Sequence, residues 1–210
     1  MYREIINDLK RWMNKTNRKP LLLTGVRQCG KTYIVKEFAR TYFESCLYVN
    51  FESSEGISGI FDYDFDVERI IKELENTFKT KIVPGKTLVF FDEIQECEEA
   101  ITALKFWAID NQYDVIASGS LLGIDYKRAS SYPVGYVDYL RMYGLDFEEF
   151  LWGLGLSEDV IHSLYSYLES KKEIPSSINK QMMQYFRTYM AIGGMPEAVQ
   201  TYLDTKDFRE

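Results

Sequence analysis

Lys31 and Thr32 stand side by side behind two glycines, Gly25 and Gly30, in the string "GVRQCGKT". The spacing is G-x-x-x-x-G-K-[ST], and each residue type in it has a physical use. Glycines let the backbone bend tightly enough for successive N–H groups to surround an anion. A helix opening at the same point adds the positive end of its dipole. A lysine ammonium reaches the β- and γ-phosphates of a nucleotide, and a threonine hydroxyl offers a hard oxygen to Mg2+. At ordinary residue frequencies such a pattern arises by chance in under about 1% of chains of this size. The candidate nucleotide-binding loop is therefore Gly25, Val26, Arg27, Gln28, Cys29, Gly30, Lys31, Thr32 and Tyr33. Lys31 counts twice, as a phosphate ligand and as a catalytic charge.

Two acids follow about sixty residues later, in "LVFFDEIQ". Four apolar residues predict a buried strand, and Asp92 and Glu93 lie at its carboxyl end. In open α/β sheets ligands lie at that end of the strands. Asp92 is placed to hold Mg2+ with Thr32, directly or through water. Glu93 is the candidate general base that polarises the attacking water. A further strand, "VIASGS", ends in Ser118 and Ser120, candidates for a polar contact with the γ-phosphate; a small-residue turn is the alternative. Asn50 ends "YVN", where it either holds Glu93 inactive by a hydrogen bond or caps the strand.

These residues need elements to carry them. Apolar residues at helical spacing predict helices over 2–15, 31–43 and 70–78. "AITALKFWAID" is a further helix. "PLLLTG", "CLYVNFE", "PGKTLVFFD", "YDVIASGS" and "YVDYLRMY" are the expected strands. Strands alternating with helices imply a parallel sheet covered on both faces. After residue 146 the pattern turns helical, in "DFEEFLWGL", "EDVIHSLYSYLES" and "INKQMMQYFRTYMAI". The expected organisation is an α/β core over 1–146 and a helical lid over 147–210.

Taken together, "LLLTGVRQCGKTYIVKEFA", "YVNFE", "LVFFDEIQ", "ASGSLLG", "YPVGYVDYLRMYGLDFEEFL" and "YMAIGGMPEAVQTY" give the chain its resemblance to a family. It resembles the AAA+-type P-loop ATPases of bacteria and archaea that usually carry a C-terminal restriction-nuclease-like domain. The resemblance implies an AAA+-like P-loop NTPase fold with strand order 5-1-4-3-2 and a helical lid. It implies ATP and Mg2+ as cofactors, with Gly25, Gly30, Lys31, Thr32, Asp92 and Glu93 in the roles given above. It also places Gly194 and Pro196 against the nucleotide base, where a plain helix-breaking turn is the alternative. Two departures stand out. Relatives usually have a basic residue where this chain has Tyr136. They also run on past the lid, so a chain ending at "TKDFRE" is expected to be a fragment that lacks the nuclease-like domain.

Composition narrows the rest. With 210 residues, 46% of them apolar, the chain can bury a real core. The net charge of −7 argues against a broad nucleic-acid surface on this segment. Three cysteines without metal-ligand spacing predict neither a zinc site nor a disulfide framework. The charged N-terminus is not a signal peptide, and no apolar run approaches ~18 residues, so no membrane span is expected. A reducing cytoplasm is the expected location. Sixteen tyrosines are scattered among core positions and predict no aromatic cluster. His162 reads as a helix-face residue and Cys29 as a small loop filler, with an oxidisable thiol as the alternative. Arg128 is either a solvated loop charge or a finger for a neighbour's phosphate. Three functions compete. The first is an ATPase that moves an attached or partner domain, the second a slow nucleotide-dependent switch, and the third a nucleic-acid-associated module. Self-association stays open.

Overall fold

A computed structural model describes residues 2–54, 56–120, 133 and 135–207. The chain divides into two compact units, Ile5–Met142 and Met1–Glu4 with Tyr143–Glu210.

The first unit is built on five strands: β1 (Leu21–Gly25), β2 (Ser45–Asn50), β3 (Thr87–Asp92), β4 (Asp114–Ser120) and β5 (Asp138–Met142). Their order in the sheet is β2-β3-β4-β1-β5, the expected 5-1-4-3-2, and every pairing is parallel. Helix α1 (Ile5–Met13) precedes the sheet. α2 (Lys31–Tyr42), α3 (Val67–Phe78) and α4 (Glu98–Asp110) are the crossovers that parallel strands require.

Alternation along each strand decides which helix a side chain meets. Leu21, Leu23, Leu88, Phe90 and Ile116 pack with Leu9, Trp12, Ile34 and Phe38 of α1 and α2. Their strand neighbours Leu22, Val89, Phe91 and Val115 pack with Ile70, Leu74, Leu104 and Trp107 of α3 and α4. Burying each of these large apolar side chains contributes about 1.5–3 kcal/mol. Every residue of β3 and β4 is buried, which is why both read as continuous apolar runs.

Local signals set the helix ends. α3 starts three residues earlier than its apolar spacing predicts, because the Asp66 side chain caps it by accepting from the Arg69 N–H at 2.8 Å. The second unit holds α5 (Phe147–Gly153), α6 (Glu158–Glu169), α7 (Ser176–Ile192) and α8 (Pro196–Thr205). Asp146 and Glu149 form a reciprocal capping box on α5. α8 was not legible as a helix; it is opened by Pro196 in its first turn, where a missing N–H costs nothing. Phe150, Leu145 and Val199 form the centre of this unit. Among the described residues no helix is long and apolar enough to cross a membrane.

Candidate functional site

β1 runs straight into the glycine-rich loop, and α2 begins at Lys31. Gly25 has no room for a side chain: a Cβ there would lie 2.4 Å from the Met142 carbonyl oxygen of β5. Gln28 (φ 64°) and Gly30 (φ 95°) take left-handed backbone, so the loop curls back on itself before the helix. The first backbone bond of α2 runs from Ile34 N–H to Gly30 O at 3.0 Å. The amides of Lys31, Thr32 and Tyr33 thus precede the first intrahelical bond, which is the arrangement that favours an anion. Val26, Arg27, Gln28 and Tyr33 are exposed around the loop.

Lys31 is 5% exposed. Its Nζ donates to the carbonyls of Gly25 at 3.1 Å and Val26 at 2.9 Å, so the ammonium sits over the loop itself. Cys29 is fully buried against Gly25, its Sγ 3.9 Å from the Met142 carbonyl. That is the small filler, and burial removes the exposed, oxidisable thiol. Burial also pushes the thiols of Cys46 and Cys97 up to about 11, despite Lys36 near the first.

Asp92 is 1% exposed and takes four donors. Thr32 Oγ1 donates to its Oδ2 at 2.7 Å, and Tyr48 Oη to the same oxygen at 3.0 Å. Ser118 Oγ and the Glu93 N–H donate to its Oδ1, the latter at 3.2 Å. Strand parity explains the convergence. Asp92 follows Leu88 and Phe90 at steps of two, and Ser118 follows Ile116, so both acid and hydroxyl face α2. Tyr48 pairs with Phe90, and Asn50 with Asp92, across β2 and β3. A threonine hydroxyl beside a buried carboxylate is a hard-oxygen donor set that suits Mg2+. No described cluster of three or more His, Cys, Asp or Glu side chains offers another metal site.

Glu93 directly follows β3 in left-handed backbone, φ 51°. Its Oε2 accepts from Gln95 Nε2 at 2.7 Å. Gln95 Oε1 in turn accepts from the Ser120 N–H at 3.3 Å. Asn50 does not hold Glu93. Its Oδ1 caps the turn after β2, accepting from Glu52 N–H at 2.9 Å and Ser53 N–H at 3.0 Å, and its Nδ2 donates to Tyr48 Oη at 3.1 Å. Of the two roles open to Asn50, the structure has the strand cap. Burial and the nearby Asp92 carboxylate push the Tyr48 phenol above its ordinary range, against the hydrogen bond from Asn50. The Tyr48 hydroxyl donates to Asp92 Oδ2.

The core gathers Gly25–Thr32, Asp92, Glu93, Ser118 and Ser120 at the carboxyl ends of neighbouring strands. The family model described as "AAA domain" matches residues 17–151. The chain belongs to the AAA domain family. A solved structure of C. elegans PCH-2 is similar, with 13% identity and a TM-score of 0.52. The match covers 98% of this chain and 63% of that one, and at this identity it speaks for the fold alone; with the family match and the strand order, that fold is the AAA+ P-loop NTPase fold. No curated protein matches the chain.

Gly194 and Pro196 belong to the second unit. Gly194 O accepts from Leu145 N–H at 2.6 Å, and Pro196 opens α8. Tyr136 is exposed, with Lys105 Nζ 5.3 Å from its ring centre. His162 is exposed on α6. Arg128 lies outside the described residues. Sequence reasoning missed Tyr48 and Gln95. Their types carry no special signal; only register and the turn after β3 bring them to the acids.

Proposed function

We propose that this chain binds ATP on residues 25–33 and hydrolyses it with Mg2+, and that turnover changes the conformation of an attached or partner domain. The observation that carries the proposal is the 2.7 Å hydrogen bond from Thr32 Oγ1 to Asp92 Oδ2, which joins the loop to the buried acid across 60 residues of sequence. Thr32 would hold Mg2+ through its hydroxyl, and Asp92 would hold it directly or through water. The ion, when bound, neutralises charge on the phosphate oxygens. Lys31 leaves the loop carbonyls for the β- and γ-phosphates, exchanging neutral acceptors for charged ones. The loop amides and the start of α2 receive the phosphate oxygens. Glu93 accepts the proton of the attacking water. Ser118, hydrogen-bonded to Asp92, and Ser120, whose N–H meets Gln95, tie β4 to both acids.

The test is calorimetry of Mg-ATP binding to wild type and Lys31→Ala. Loss of the buried ammonium is expected to weaken binding at least about tenfold, roughly 1.4 kcal/mol. Equal affinity in the two proteins would reject the loop as the nucleotide site.

A further inference from the structure

Asp92 Oδ2 has two hydroxyl donors, and only one belongs to the phosphate-binding loop. The other is Tyr48 Oη, 3.0 Å away, on β2. The phenol has a single proton, and its use is fixed by its neighbours. Asn50 Nδ2 donates to Tyr48 Oη at 3.1 Å, so the phenol oxygen is the acceptor there and its own proton goes to Asp92. Asn50 is held in turn by the amides of Glu52 and Ser53. The ring is fixed as well. Lys36 Nζ of α2 lies 3.5 Å from its centre, and the Phe90 ring lies 5.4 Å away.

Thr32 donates its proton to the oxygen that Tyr48 anchors. A hydroxyl that gives its proton to a carboxylate keeps its lone pairs for a cation. The position of Oδ2 therefore decides which way the Thr32 lone pairs point. We propose that Tyr48 is a positioning residue for the Thr32–Asp92 pair: its phenol fixes Asp92 Oδ2 where the Thr32 hydroxyl meets it, so that divalent-cation binding depends on a side chain of β2. The proposal rests on the ATP and Mg2+ reading above. It also makes the turn after β2 part of the support of the cation site, through Asn50.

Tyr48→Phe tests this, because phenylalanine keeps the ring against Phe90 and loses only the hydroxyl. Calorimetry with a non-hydrolysable ATP analogue, in Mg2+ and in chelator, separates loop binding from the cation's contribution. In Tyr48→Phe the affinity in chelator is expected to match wild type, while the gain conferred by Mg2+ falls by about tenfold, the size of one charge-assisted hydrogen bond. Asn50→Ala is expected to shift the same gain in the same direction by less, and it serves as the test should Tyr48→Phe fail to fold by circular dichroism. An Mg2+ gain equal to wild type in the folded variant overturns the proposal. So does an equal loss with and without Mg2+, which would make Tyr48 a support of the loop instead. If wild type shows no nucleotide binding, or binding indifferent to Lys31, the nucleotide reading itself fails, and this proposal with it.

Discussion

Glu93 has a partner that bears directly on its proposed chemistry. A general base must meet the water's proton within hydrogen-bond reach and in a fixed direction. Gln95 Nε2, 2.7 Å from Glu93 Oε2, supplies that direction, and the Ser120 N–H at 3.3 Å steadies Gln95 from β4. Glu93→Gln is expected to keep ATP affinity and slow hydrolysis by roughly 100-fold or more, because an amide cannot accept the proton. Gln95→Ala is expected to leave KM within about twofold and lower kcat by about tenfold, the smaller loss expected when a base stays present but loses its orientation. A steady-state assay of phosphate release measures both. Turnover at the wild-type rate in Glu93→Gln would make that acid structural, and turnover at the wild-type rate in Gln95→Ala would remove the orienting role.

At the level of elements, close backbone approaches matter more than side-chain contacts in two places. One is the end of β1, where Gly25 lies against Met142 O of β5. The other is the joint between α7 and α8. Gly193 ends α7 with φ 78°, and its N–H bonds Tyr189 O at 2.7 Å. Gly194 then pairs with Leu145, and a Cβ on Gly194 would lie 2.2 Å from the Leu145 carbonyl oxygen. That carbonyl also accepts from Tyr189 Oη at 2.7 Å, so it is not free to retreat. Gly194→Ala is expected to destabilise the helical unit by about 1–3 kcal/mol, the usual cost of overpacking. Chemical denaturation followed by circular dichroism measures it, and an unchanged midpoint would mean that the joint yields without cost.

For the molecule as a whole, the first residues of the chain are part of the C-terminal helical unit. Arg3 and Glu149 explain this. Both are nearly buried, with Nε and Oε1 3.0 Å apart. Arg3 Nη2 also donates to Tyr143 O at 2.8 Å, and the Glu4 N–H donates to Glu149 Oε1 at 2.8 Å. Arg3→Ala leaves the Glu149 carboxylate buried without its cation, at an expected cost of about 3 kcal/mol. The loss should appear as a lower thermal midpoint, while the affinity of the proposed ATP site on residues 25–33, in the Ile5–Met142 unit, is expected to stay at the wild-type value. A parallel fall in affinity at temperatures where the protein remains folded would contradict that separation.

How much of this could be read from the chain follows from how local each signal is. The spacing of Gly25, Gly30, Lys31 and Thr32 specifies a loop whose chemistry is carried by its own backbone. The apolar runs of β1 and β3 specify buried strands, and a period of two then assigns Leu21, Leu23, Leu88 and Phe90 to one face and Leu22, Val89 and Phe91 to the other. Asp92 and Glu93 were legible because they end such a run. Strand order came from the family resemblance, since crossovers of similar length permit several orders. Asn50, Tyr48 and Gln95 were decided by tertiary structure alone. Tyr48 reaches Asp92 across 44 residues, through the register of β2 on β3, and Gln95 reaches Ser120 across 25. Likewise Arg3 meets Glu149 and Gly194 meets Leu145 only after the chain has folded back. A hydrogen bond between distant residues leaves no periodicity and no composition bias in the sequence, because what selects it is the position of two backbones and not the type of either residue.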